Sequence, residues 1–162
     1  MPDMVWKPDV TVAAVVERDG QYLVVEERAS GRIVINQPAG HLEDGESFER
    51  AVVRETLEET GWTFRPDAIS GIYLWRGAQS NRTFLRVTFC GAAVDYDSSR
   101  SLDRGIVRAR WLTREQLAAA GRRLRSPLVL RCIDDHRSGT RYPLSLISHV
   151  VADAGASLAA NA

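Results

Sequence analysis

The stretch from Ser47 to Gly61 constrains this chain more than any other. It carries both end signals of a helix: Ser47 is a natural N-cap with Glu49 and Arg50 after it, and Gly61 stands where a C-terminal glycine is expected. At about 100° per residue, Glu58 lies about 60° to one side of Glu55 and Glu59 about 40° to the other. Three carboxylates therefore share one stripe at i, i+3 and i+4, spacings at which like charges destabilise an isolated helix by a few tenths of a kcal/mol per pair. A fold that keeps this helix needs positive charge beside the stripe. A solvated acidic face countered by neighbouring arginines is one answer. A hard divalent cation is the better one, because clustered carboxylate oxygens suit Mg²⁺ or Mn²⁺. The preceding segment Gln37-Pro38-Ala39-Gly40-His41-Leu42 reads as a constrained turn able to bring backbone carbonyls near a metal. Arg54 stands beside the stripe, and Glu46 falls within its reach.

Around the helix the chain is β-rich. Val10 to Val16 and Tyr22 to Val25, joined through Asp19-Gly20, predict a β-hairpin. Arg32 to Ile35 predicts another strand, ended by Asn36 to Gly40. Beyond the helix come Ile69 to Trp75 and Arg82 to Val94, a polar loop from Asp95 to Gly105, and a strand from Val107 to Leu112. Thr113, with Glu115 and Gln116 after it, starts a further helix. Ser126-Pro127 opens another over Leu128 to His136, Gly139 to Pro143 breaks it, and Leu144 to Val151 is a short apolar element. The expectation is one mixed α/β domain over residues 1–152, with the alanine-rich 153–162 as a frayed tail.

At 162 residues the chain can bury about 68–70% of its unfolded surface without a disulfide. Cys90 and Cys132, with no C-x-x-C spacing, read as reduced thiols of a cytoplasmic protein. The N-terminus lacks a charged region followed by an apolar run, and no apolar stretch approaches the ~18 residues of a membrane span. Lys plus Arg and Asp plus Glu are 21 each, so net charge gives no attraction to nucleic acid or anionic membranes. Only Lys7 is a lysine against 20 arginines, a bias that suits bidentate phosphate contacts but that G+C-rich coding explains at least as well.

The residue pattern resembles a known signature. Gly40, five residues, Glu46, seven residues, then Arg54-Glu55-Thr56-Leu57-Glu58-Glu59-Thr60-Gly61-Trp62 is similar to the Nudix box, in which bulky apolar residues are expected at the positions of Thr56 and Trp62. The resemblance implies a Nudix fold, a mixed β-sheet sandwiched between helices, and metal-dependent hydrolysis of a phosphoanhydride bond. On that reading Glu55, Glu58 and Glu59 are metal ligands for Mg²⁺ or Mn²⁺, with the Gly40 carbonyl a further one. Glu55 is the first choice for the base, and Arg54 and Glu46 form an orienting pair. The flanks, Leu23-Val24-Val25-Glu26-Glu27, Asn36-Gln37-Pro38-Ala39-Gly40-His41, Arg125-Ser126-Pro127 and Ser138 to Leu144, resemble a phosphatase branch acting on nucleoside di- and triphosphates and on thiamine- or hydroxymethylpyrimidine-type diphosphates, with release of phosphate. Ile35 departs from that branch, where a tryptophan is expected.

Substrate residues are less marked. Asp103 in the polar loop is a candidate fourth ligand or base, or a solvated charge. Trp75 could stack on a heterocycle or belong to the core. Arg28 and Arg76 could hold phosphates, and His41 lies near the expected site. Thr140 to Pro143 fits a lid or a packed loop. The partner expected is a small phosphorylated substrate, with no membrane or nucleic acid, for a monomer or homodimer. A non-catalytic regulator and an RNA-end pyrophosphohydrolase are the alternatives. A pure binder need not keep every box acid, and a polymer would call for a basic surface.

Overall fold

The computed structural model describes residues 5–78 and 80–151, so the expected tail 153–162 lies outside the described residues. Strands β1 (Asp9–Arg18), β2 (Gln21–Ala29), β3 (Arg32–Asn36) and β4 (Ala39–His41) precede helix α1 (Phe48–Thr60). Strands β5 (Trp62–Arg76), β6 (Thr83–Tyr96) and β7 (Ile106–Thr113) follow, then helices α2 (Arg114–Ala120) and α3 (Leu128–Arg137). The strand order is β3-β2-β1-β6-β5, with β4 also pairing β1 and β7 also pairing β2. Among the described strands only β1 and β6 run parallel, in register from Asp9↔Phe84 to Val16↔Gly91.

The Asp19-Gly20 turn forms with positive φ at both residues (51° and 75°), which matches the twist of a tight hairpin. The hairpin itself is shorter than expected. Only Glu17↔Tyr22 and Arg18↔Gln21 pair, after which β1 turns to β4 and β6 while β2 turns to β3 and β7. The two strands splay because each has a longer partner elsewhere. Residues 39–41, expected within a turn, instead form a strand along β1, with Ala14 N–H donating to the Pro38 carbonyl. The apolar element expected over Leu144 to Val151 reduces to one 3-10 turn, Leu144–Leu146.

Helix α1 covers one sheet face, where Ala51 and Val52 meet Val12, Ala14, Val16 and Phe89. On the opposite face, Leu128, Cys132 and Ile133 of α3 meet Val15, Val24, Ile35 and Cys90. Alternation along β1 sends neighbouring residues to opposite faces, which is why its middle is buried throughout. A sheet between helices is thus the fold expected from the sequence. Thr56, polar at an expected apolar position, is fully buried and donates its hydroxyl to the Val52 carbonyl at 2.7 Å, so its methyl packs at no unpaired cost. Trp62 locks the far end of α1: the Arg18 guanidinium lies 4.6 Å from its ring centroid and 4.8 Å from that of Trp111.

Candidate active site

Both ends of α1 form as the sequence predicts. The Ser47 hydroxyl accepts from Arg50 N–H, and Gly61 takes φ 75° while its N–H bonds the Leu57 carbonyl. Those caps fix the phase of the acidic stripe. Arg54 is its organising cation. It forks onto Glu46 (Nε–Oε1 2.8 Å, Nη2–Oε2 2.9 Å), reaches Glu55 Oε1 at 2.7 Å and Glu58 Oε2 at 3.2 Å, and donates to the His41 carbonyl at 3.1 Å. Glu46 is held from its other side by Glu43 N–H, and the Arg54 hydrogen bonds keep its carboxyl below the usual range.

Glu55, Glu58 and Asp103 each offer a carboxylate oxygen within 4.8 Å of the others. Asp103 comes from a loop far along the chain, and its N–H donates to the Glu58 carbonyl at 2.9 Å, which ties that loop to the helix. Glu59 stands apart from this triad. It is 7% exposed, and its Oε2 accepts from Ala39 N–H at 2.9 Å. Burial, reinforced by Glu27, Glu55 and Asp103, pushes its carboxyl up to about 9. Burial likewise raises Glu55 against the pull of Arg54. Buried acids raised in this way, with further carboxylates beside them, mark a place short of positive charge, and an all-oxygen donor set fits a hard divalent ion. The residues present therefore fit Mg²⁺ or Mn²⁺.

Gly40 makes this arrangement possible. A Cβ built there would lie 2.0 Å from Glu55 Cδ, so the Glu55 carboxyl occupies the space that a side chain at 40 would take. The carbonyl expected from Gly40 belongs elsewhere. Gly40 lies opposite Val12, between the bonds Ala14 N–Pro38 O and Leu42 N–Val10 O, so strand alternation turns its own N–H and C=O toward β1. The Ala39 backbone is the one turned toward α1.

Glu55 and Glu59 open into a cleft of about 360 Å³. Trp75, half-buried and stacked on Phe84 with centroids 5.8 Å apart, lines it, as does His41. Arg28 and Arg76 do not. Arg28 is exposed at the end of β2 with its N–H on the Gly105 carbonyl, and Arg76 turns to the Asn81 side chain. Tyr142 pairs with Ile69 through two backbone bonds (2.9 and 2.8 Å), so the segment 140–143 is a packed loop along β5. Ile35 is 1% exposed in the core and contributes no surface to the cleft.

Sequence reasoning did not place the cleft's other polar residues in the site: Thr11, Glu27, Asn36, Glu43, Arg86, Arg125 and Ser126. The signal was available in Val10-Thr11-Val12 and Leu85-Arg86-Val87, where one polar residue interrupts an apolar strand. Glu27, raised by burial, lies 3.6 Å from Arg125.

A NUDIX domain family model matches residues 6–132. Phosphatase NudJ of Escherichia coli (strain K12) is 41% identical over 142 residues, covering 88% of this chain and 92% of that protein. A solved NUDIX hydrolase from Nitrosomonas europaea superposes with a TM-score of 0.86 at 50% identity, covering 89% of this chain and 98% of that one. A MutT protein from Methanosarcina mazei Go1 shares the fold at a TM-score of 0.66 and 22% identity, over 85% of this chain and 99% of that one.

Proposed function

The chain belongs to the NUDIX family, and from that premise we propose that it hydrolyses the terminal phosphoanhydride bond of small diphosphates and nucleoside triphosphates, releasing orthophosphate. The substrate class is nucleoside di- and triphosphates together with thiamine- or hydroxymethylpyrimidine-type diphosphates. The observation that carries this reading is the carboxylate triad Glu55, Glu58 and Asp103 beside a cleft with Arg86 and Arg125 in its lining. Similarity to a curated phosphatase over most of both chains supports it.

Glu55, Glu58 and Asp103 would hold a divalent cation, with Glu59 and the Ala39 carbonyl adjoining. When bound, that ion supplies positive charge to phosphoryl oxygens and to a water. Arg54 fixes the rotamers of Glu55 and Glu58, and Glu46 fixes Arg54, so the acids are oriented before substrate arrives. Arg54 engages Oε1 of Glu55, leaving Oε2 to accept the proton of the attacking water. The water oxygen bonds to the terminal phosphorus, the bridging P–O bond breaks, and the shortened substrate leaves with the bridging oxygen, as a monophosphate from a diphosphate or as a diphosphate from a triphosphate. Trp75 offers a ring face to the heterocycle.

The complete box acids favour catalysis over a pure binding role. Many arginines are spent on internal ion pairs: Arg54, Arg82, Arg108, Arg110, Arg114, Arg123 and Arg131 all hold carboxylates. That speaks against a basic surface for an RNA chain.

A substrate panel with Mg²⁺ or Mn²⁺, scored separately for orthophosphate and pyrophosphate, tests the reading. Orthophosphate as the product is expected. Pyrophosphate as the sole product from every triphosphate, with no turnover of diphosphates, would overturn it.

A further inference from the structure

Arg86 is 8% exposed, in the middle of β6, and it lines the cleft. A buried guanidinium is costly unless an anion meets it. Among the described residues no carboxylate holds it: Nη1 reaches only Gln37 Oε1 at 3.5 Å, and Nε has no partner at all. An arginine stays charged in such a place, and although Glu27 attracts it from a distance, no negative group is in contact with it among the described residues. Its neighbours have the same deficit. Thr11 stands directly opposite Arg86 in the parallel register, 6% exposed, and its Oγ1 is likewise without a partner. The N-terminal turn of the ten-residue helix α3, with Ser126 and Leu128, opens onto the same cleft and brings the positive end of its dipole. Gln37 ties these parts together, since its Nε2 donates to the Val129 carbonyl of α3 at 2.7 Å while its Oε1 faces Arg86.

We propose that Arg86, Thr11 and the start of α3 form a phosphate-binding floor for the terminal phosphoryl group of the substrate, the one released as orthophosphate. A terminal phosphoryl has three free oxygens and no continuing chain, so it can sit on a floor closed by the sheet, whereas an inner phosphate must be open on two sides. The Arg86 fork and the Thr11 hydroxyl supply donors. Glu27, an acid in the cleft's lining on the β2 side, lies 3.6 Å from Arg125 and attracts Arg86 only at longer range, without an ion pair between them among the described residues. Gln37 acts as a positioning residue. This subsite rests on the phosphatase reading for the identity of its occupant, but its affinity for phosphate is measurable without turnover.

The test uses inorganic phosphate as the probe, in the presence of Mg²⁺, by calorimetric titration and by product inhibition. Wild type, Arg86→Lys, Arg86→Gln and Thr11→Val are compared. Arg86→Gln should weaken phosphate binding about tenfold or more, because a charged bidentate contact is lost, with partial recovery in Arg86→Lys. Thr11→Val should also weaken phosphate, yet raise the melting temperature of the phosphate-free protein, because it removes a buried hydroxyl with no partner. That opposite pair of effects cannot come from a merely structural role, and it keeps the test open if Arg86→Gln fails to fold. Phosphate affinity unchanged within twofold in Arg86→Lys and Thr11→Val would overturn the subsite, even if orthophosphate is the product. Arg86-dependent phosphate binding in an enzyme that releases only pyrophosphate would support the subsite and overturn the phosphatase reading.

Discussion

Gly40→Ala isolates the steric condition on which the acidic site rests. The added methyl carbon would lie 2.0 Å from Glu55 Cδ and 2.1 and 2.2 Å from its two carboxylate oxygens, where ordinary contact begins near 3.4 Å. The carboxyl must therefore retreat by about 1.4 Å, and a misplacement of about 1 Å costs on the order of 10²-fold in rate. That corresponds to about 2.7 kcal/mol of barrier. The backbone is not the cause, because Gly40 lies in an ordinary strand and carries no positive φ. Glu55 is a flexible side chain, so the fold survives the change. Alanine even reduces the chain entropy lost on folding, worth about 0.4–1 kcal/mol. The expected result is a kcat lower by about two orders of magnitude, with a melting temperature near that of wild type. Orthophosphate release at saturating Mg²⁺, paired with thermal unfolding, measures both. The double variant Gly40→Ala/Glu55→Ala sharpens the test: if alanine acts only through Glu55, it adds nothing to the loss from Glu55→Ala alone. Activity of Gly40→Ala within threefold of wild type, or losses that add, would refute the reasoning.

Two further outcomes follow from the ion pairs. Arg54→Lys keeps the charge but cannot fork to Glu46 while reaching Glu55 and Glu58, so the apparent Mg²⁺ affinity should fall about 10- to 100-fold with the fold intact; a Mg²⁺ titration of turnover checks it, and an unchanged half-saturation would remove Arg54 from the positioning role. Glu26, 3% exposed and gripped by Arg108, Arg110 and Arg123, is drawn from 4.5 to about 2, first by the Arg108 hydrogen bond. A depressed carboxyl stabilises the fold above its unfolded value, and that stability disappears as pH falls from 4.5 through about 2. The shift is worth about 3 kcal/mol before screening by solvent around the arginines, and about 1–2 kcal/mol after it. Glu26→Gln should thus be less stable than wild type at pH 7 and converge with it near pH 2 in urea melts; parallel stability curves across that range would refute the assignment.

The helix and its acids were legible because their signals are local. Caps, periodicity and like-charge spacing all act within four residues, and Ser47, Glu55 and Gly61 could be placed without knowing what lies around them. The third member of the triad was harder. Glu59 has the right spacing on the helix, with one carboxylate oxygen bonded to Ala39 N–H, and Asp103, some forty-five residues on from Glu58, joins Glu55 and Glu58 in the cluster. A loop acid is chosen by where the sheet carries its loop, which no local pattern reports. Pairing partners were hidden for the same reason. The Asp19-Gly20 turn fixes only the first two pairs, and competition from β4 and β6 decides the rest of β1. Arg28 and Arg76 looked suitable as exposed arginines at strand ends, yet Arg86 is the one in the cleft's lining with Arg125, and its place in an apolar strand was the better clue.

The central claim is that Glu55, Glu58 and Asp103 together hold the divalent ion on which hydrolysis depends. Mn²⁺ binding by electron paramagnetic resonance, on wild type, Glu58→Gln and Asp103→Asn with turnover measured on the same samples, tests it most directly. Each variant should bind Mn²⁺ about tenfold or more weakly and lose turnover at subsaturating ion while remaining folded. Wild-type Mn²⁺ affinity in both variants would contradict the claim.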